Sequence, residues 1–215
     1  MAVRTITSRD NALLARVRKL AGDPAAYRKL GEVWIEGEHL CAAYLERRSA
    51  PTLAVIGASG WDVPRLRRLA EAAPQTVLIP DAVMKGLSLL ESPAPLGFVV
   101  PWSGVGELAG DQPSVVLDRL QDAGNVGSVL RSASALGFRQ VIALKGTAAL
   151  WSPKVLRAGM GAHFGLQLIE GVTDAALSAL TMPIYAASSH ARRALHECAL
   201  AWPCAWVLGH EGQGV

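Results

Sequence analysis

Two α/β units, the second built on a mostly parallel sheet, are what this sequence predicts. Three observations carry the expectation. Short β-branched runs alternate with amphipathic helical stretches along the whole chain. A stretch rich in Gly and Pro at 103–113 interrupts that alternation. Beyond it, residues 113–138 read as strand, turn and helix in close succession. The boundaries that follow are 1–102 for a first unit, 103–112 for a linker and 113–215 for a second unit.

In the first unit the spacing of Leu13, Leu14, Val17 and Leu20 predicts a helix over 7–20, capped by Ser8 or Asp10 and broken by Gly22-Asp-Pro. Residues 33–37 form a strand entering a turn, and Leu40, Ala43, Tyr44 and Leu45 mark the next helix. Strands are expected at 53–56, 76–79 and 97–101, with helices at 64–73, where Pro64 suits a first turn, and at 81–90. In the second unit, Pro113-Ser-Val-Val-Leu-Asp118 is a buried strand and Asp122-Ala-Gly124-Asn125 supplies turn and cap residues. Val126, Val129, Leu130, Ala133 and Leu136 then recur at helical spacing until Gly137 closes the helix. Strands follow at 140–145, 166–169, 184–187 and 205–208, with helices at 152–163 and 174–180.

Composition narrows the function classes. The chain has 215 residues, 51% of them hydrophobic and 18% charged, enough for one large or two small packed domains. No apolar run approaches the roughly 20 residues that a bilayer span needs, and residues 1–6 lack the apolar core of a signal peptide, so a cytoplasmic protein without membrane contact is expected. Three cysteines, Cys41, Cys198 and Cys204, are a sparse, odd set that suits a reducing compartment. Charge is uneven. Residues 1–70 hold 12 Lys and Arg against 7 Asp and Glu, whereas the other 145 hold 9 against 11. A polyanion such as RNA would account for the basic first third, with Arg9, Arg16, Arg18 and Lys19 as contacts; so would solvated helix faces.

Two short patterns carry chemistry. Asn125 sits at the mouth of its helix and Arg131 six residues in, among small residues that give its side chain little cover. An amide near a helix N-terminus with a guanidinium further along can clamp phosphate, and an ordinary surface arginine fits the same residues. The chain closes on Leu208-Gly209-His-Glu211-Gly212-Gln-Gly214-Val215, a strand running into a bend of small residues whose backbone can approach a ligand closely. Neither Gly104-x-Gly106-x-x-x-Gly110 nor Gly159-x-Gly161-x-x-x-Gly165 opens a helix with dinucleotide spacing, which sets aside a nucleotide-dependent oxidoreductase. His190, His196, Cys198 and Cys204 match no zinc spacing, so no metal is expected, and neither cysteine has an oriented base beside it in the sequence.

Taken together, Asn125-x-Gly127-x-x-x-Arg131 after one strand and Leu208-Gly209-x-Glu211-Gly212-x-Gly214 after a later one resemble the SpoU/TrmH family. These are AdoMet-dependent RNA ribose 2′-O-methyltransferases of the knotted SPOUT superfamily. Residues 152–164 resemble the family's middle segment, and Val33-Trp-Ile-Glu-Gly-Glu-His-Leu40 resembles the start of the substrate-binding domain these enzymes often carry. The resemblance implies a small N-terminal RNA-binding domain and a C-terminal domain of trefoil-knot type. It implies S-adenosylmethionine as cofactor, held by Leu208, Gly209, Glu211 and Gly212, and catalysis by Arg131 with Asn125 and Glu211. It further implies a homodimer and an RNA substrate, with rRNA favoured over tRNA; a non-catalytic RNA-binding protein of the same fold is the alternative. Where the family commonly has Asn, this chain has His210, at a position expected to contribute mainly backbone. The family's third motif, which threads the knot and supplies the other half of the cofactor pocket, does not occur before Val215. The expectation is therefore a chain cut short there, with its knot-forming end missing and weak AdoMet binding as it stands.

Overall fold

A computed structural model describes residues 2–48, 50–88, 93–188 and 190–215. The chain divides into two compact units, Met1–Gly104 with Trp151–Arg157, and Val105–Leu150 with Ala158–Val215.

The first unit is built on a mixed five-stranded sheet. Its strands are β1 (Ala2–Thr5), β2 (Glu32–Glu36), β3 (Leu53–Gly57), β4 (Gln75–Ile79) and β5 (Leu96–Pro101). Their order is β1-β4-β3-β5-β2, with β3 and β4 parallel and β5 antiparallel to both its neighbours. The helices are α1 (Ala12–Gly22), α2 (Ala26–Leu30), α3 (Glu38–Arg47), α4 (Ala58–Trp61), α5 (Pro64–Glu71) and α6 (Asp81–Lys85). Leu14, Val17 and Leu20 of α1 pack with Val55, Val77, Ile79 and Val99 of the sheet, removing a contiguous apolar surface from water. The helix expected from residue 7 begins later, because Asn11 rather than Ser8 or Asp10 caps it: the Asn11 side-chain oxygen accepts from the Leu13 amide at 2.9 Å. Residues 81–90 were expected to be one helix; α6 ends at Lys85, and Leu89 and Leu90 lie outside the described residues. Strand β1 was not legible because all four of its residues are exposed at the sheet edge, so no buried face imposes alternation on them.

The second unit has an all-parallel sheet of β6 (Ser114–Leu117), β7 (Gln140–Leu144), β8 (Gln167–Val172), β9 (Ile184–Ala186) and β10 (Ala205–Leu208). The order is β8-β7-β6-β10-β9. The chain thus steps outward from β6 through β7 to β8, then crosses to the far side for β9 and β10. Strands β6 and β10 flank the point where that order reverses, with Leu117 opposite Leu208. In open α/β sheets, ligands enter the crevice outside the carboxyl ends of such a strand pair. The core joins Val116, Ile142 and Ile169 to Ala205, Val207, Leu180 and Met182.

Helix α7 (Ala123–Ala135) follows β6 as expected, burying Val126, Gly127, Leu130 and Ala133. Two other expected helices are shorter. The one predicted over 152–163 ends as α8 (Pro153–Gly159), because Met160 (φ 49°) and Gly161 (φ 87°) turn left-handed and only a 3-10 turn, Ala162–Gly165, follows. The one predicted over 174–180 is a 3-10 helix, Asp174–Ala179, with no buried residue to hold a longer helix against the sheet. Residues 106–110, expected in the linker, are hydrogen-bonded within the second unit. The Gly106 amide donates to Leu168, the Ala109 amide donates to the buried Gln140 side chain, and the Gly110 carbonyl accepts from the Thr181 amide.

Candidate active site

The loop from β6 to α7 and the bend after β10 meet at the carboxyl ends of their strands. Strand β6 ends in Asp118-Arg119, and the Asp118 amide donates to the Leu208 carbonyl at 2.9 Å, carrying the ladder one residue further. Arg119 lies in the left-handed region (φ 60°), a cost that a non-glycine residue bears only where its surroundings hold it. Three contacts do so. Its amide donates to the Thr147 hydroxyl at 3.1 Å, its guanidinium makes a two-pronged pair with Asp118 at 2.8 and 2.9 Å, and a third nitrogen reaches the Gln213 side-chain oxygen at 3.4 Å. The Arg119 fork holds the Asp118 carboxyl below the usual range.

Glu211 is the knot of hydrogen bonds at this place. One carboxylate oxygen accepts from the Asp122 amide at 3.1 Å and from the Asn125 side-chain nitrogen at 3.2 Å; the other accepts from the Gln121 amide at 3.3 Å. Its own backbone N–H first, then Asn125, Gln121 and Asp122, push its carboxyl down to about 2. A lowered carboxyl favours the anchored bend above the ordinary titration range, and that preference is lost only as the pH falls towards the lowered value. Because Glu211 can only accept, the Asn125 amide must turn its nitrogen towards it, leaving the Asn125 carbonyl oxygen directed elsewhere. Asp122 caps α7 through the Asn125 amide at 2.7 Å.

The bend itself is a narrow loop. The His210 amide donates to the Gly214 carbonyl at 3.1 Å and the Gly214 amide to the His210 carbonyl at 2.8 Å. Gly209 must be glycine, since a Cβ there would stand 2.2 Å from the Gly214 carbonyl carbon. His210 contributes its side chain as well as its backbone: its Nδ1 accepts from the Gly212 amide at 3.0 Å and the Gln213 amide at 3.3 Å.

Of the expected catalytic residues, Asn125 and Glu211 are hydrogen-bonded. Arg131 is exposed on the same helix, about 9 Å further along its axis. Among the described residues, no hydrogen bond joins Arg131 to Asn125 or Glu211, so neither holds the guanidinium in place. Leu208, Gly209 and Gly212 all lie at the end of β10 or in the bend. Arg16 pairs with Glu32 at 3.1 Å, whereas Arg18 turns back to the carbonyls of Leu14 and Arg9. Arg9, Arg18 and Lys85 line a depression of about 410 Å³ floored by Val83 and Leu87. Sequence reasoning passed over Arg119, Gln121 and Gln213, which anchor the site. Only the adjacent opposite charges of Asp118-Arg119 at a strand end could have signalled them.

His163, expected as the last residue of the helix over 152–163, lies in the 3-10 turn beyond α8 and is fully buried. Its Nε2 donates to the Leu150 carbonyl at 2.9 Å, and its ring fills the place a Cβ on Gly159 would take, 2.5 Å away. Burial lowers its basicity to about 4. An imidazole that is harder to protonate folded than unfolded stabilises the fold fully above the ordinary value of 6.5, and loses that contribution as pH falls from there towards 4. Unfolding free energy is expected to drop by about 2 kcal/mol between pH 7 and pH 5 on this account. Urea titrations of His163→Gln, which keeps a donor but cannot titrate, check this: the variant should lack that part of the slope.

A parallel α/β sheet with a polar strand-end loop locked to a glycine bend at its switch point defines a ligand-binding α/β domain. Residues 112–215 match the family model described as SpoU rRNA Methylase family. Residues 112–215, just under half of the chain, are thus similar to that family. The chain is 25% identical over 184 residues to the 23S rRNA (guanosine(2553)-2'-O)-methyltransferase RlmP of Bacillus subtilis, covering 84% of this chain and 72% of that protein. It is 48% identical over 58 residues to the mitochondrial rRNA methyltransferase 3 of Homo sapiens; the match covers 27% of this chain and only 14% of the human protein. The solved structure of the SpoU methyltransferase AviRb from Streptomyces viridochromogenes in complex with AdoMet shares the fold, with a TM-score of 0.81 at 21% identity over 95% of this chain and 83% of that one.

Proposed function

We propose that this chain transfers a methyl group from S-adenosylmethionine to a ribose 2′-hydroxyl of structured RNA, with rRNA as substrate. The observation that carries the reading is the Glu211 carboxylate, which ties the glycine bend after β10 to the mouth of α7 at the switch point of a parallel sheet. The names of the relatives support the reaction class, and the AdoMet complex of AviRb supports the cofactor. The bend fits such a group. Gly209 has no side chain, and at Gly212 the nearest atoms an added Cβ would meet belong to the His210 ring, 3.7 Å away, so the backbone there is open to a ligand.

When bound, the sulfonium supplies a methyl group already activated for transfer. The tasks left to the chain are positioning and help with proton loss. Arg131, exposed and without cover, grips the phosphate beside the target ribose and steadies the alkoxide as it develops. It does not act as the base, because a guanidinium offers N–H donors and no acceptor. Asn125, its nitrogen committed to Glu211, offers its carbonyl oxygen to the ribose hydroxyl. Glu211 orients rather than reacts, since both its oxygens accept hydrogen bonds from the α7 mouth and the loop before it. The first unit recognises RNA by shape and phosphate contact through Arg9, Arg16, Arg18 and Lys19, and two copies of the chain assemble as a cytoplasmic homodimer.

Incubation of the full-length protein with labelled AdoMet and with rRNA and tRNA transcripts tests the reading. Label should appear on rRNA at a single alkali-resistant ribose. Label on tRNA alone would replace the substrate, and binding of RNA without any transfer would leave a non-catalytic RNA-binding protein.

A further inference from the structure

We propose that His210 is a positioning residue that holds the glycine bend in its ligand-ready shape only while its imidazole is neutral, so that cofactor binding is coupled to loss of a proton from this ring. The coupling to cofactor rests on the reading given under Proposed function; the effect on the bend does not.

The geometry is specific. Two successive backbone amides, Gly212 and Gln213, converge on one atom, the His210 Nδ1, at 3.0 and 3.3 Å. An N–H can point at Nδ1 only if that nitrogen carries a lone pair, which fixes the neutral ring with its proton on Nε2. The side-chain oxygen of an asparagine stands the same number of bonds from its own backbone and accepts from the residue two further on, the usual Asx turn. His210 therefore reproduces with an imidazole the acceptor that an asparagine at this position would supply. What it adds is titration. A proton arriving from solvent on Nδ1 turns the acceptor into a third donor facing two N–H groups, and the cap is lost.

Three charged groups lie around His210. The Asp118 carboxylate, just beyond β6, interacts with the ring electrostatically. The Arg119 guanidinium is bonded to both Asp118 and Gln213. Glu211 follows His210 directly and is committed to the amides of Gln121 and Asp122 and to Asn125. The donor–donor clash at Nδ1 fixes the sign: the bend is ordered at high pH and loosened at low pH.

The test uses the full-length protein, H210N and H210A, at about pH 5.5 and about pH 8, either side of the usual imidazole titration. Imidazole 15N shifts at the higher pH should report the Nε2–H tautomer. Protection of the Gly212 and Gln213 amides, taken relative to the intrinsic exchange rate at each pH, should fall on acidification in the parent, stay high at both pH values in H210N, and be low at both in H210A. AdoMet affinity should weaken about tenfold on acidification in the parent and change less than about twofold in H210N, because only the parent loses the acceptor that shapes the bend. An Nδ1–H tautomer at pH 8, or equal pH dependence of exchange in the parent and H210N, would overturn the proposal. The expected exchange pattern with no AdoMet bound by any variant would uphold the capping role and overturn the cofactor reading instead.

Discussion

Arg131→Lys is expected to lower methyl transfer by the full-length protein roughly 100-fold while leaving AdoMet affinity within about twofold. The reasoning is geometric. Arg131 lies six residues along α7 from Asn125, exposed and without cover, so its planar fork is free to meet a phosphate oxygen pair and a nascent alkoxide together. Lysine keeps the charge but offers one point of contact, so it retains part of the attraction for RNA and loses the alignment. Single-turnover rates at saturating RNA separate the two, because a residue serving only RNA affinity would raise KM and spare kcat. Near-normal turnover by the lysine variant would remove Arg131 from the site.

Gly127→Ala is expected to destabilise the second unit by about 3 kcal/mol, measured as a fall in the urea midpoint at unchanged slope. Two effects oppose each other here. Alanine is favoured over glycine inside a helix by about 1 kcal/mol. Against that, a Cβ on Gly127 would stand 2.3 Å from the Ala158 Cβ and 2.7 Å from the Gly159 amide nitrogen, so the end of α8 would have to move away from α7. The clash is with backbone and cannot be relieved by turning a side chain, so it wins. Gly137→Ala provides the contrast. Gly137 has φ 86° and nothing within 4 Å of an added Cβ, so only the left-handed strain of about 1 kcal/mol remains. Equal losses at both positions would mean that the two helices separate freely.

Much of the site could be read from the chain because its parts are local. Asp122 and Asn125 announce a capped helix mouth, and Gly209 and Gly212 announce a bend after a strand, each by residue type and spacing alone. The link between them could not be read, since Glu211 and Asn125 are 86 residues apart and only the sheet order brings them within 3.2 Å. The same holds for Arg119, which looks like any charged loop residue until Gln213 and Thr147 are seen around it. The burial of His163 has no local signal, because a histidine among small residues carries no apolar period; it depends on Gly159 leaving room for the ring.

By itself, then, the sequence determined the strand and helix alternation, the parallel second sheet and the two chemistry-bearing segments, because hydrophobic period, caps and glycines act over a few residues. The tertiary structure alone decided which strand ends adjoin, that Glu211 anchors the bend to the mouth of α7, and that the His210 ring serves as an acceptor. These depend on strand order and on the direction of single lone pairs, which no local pattern encodes.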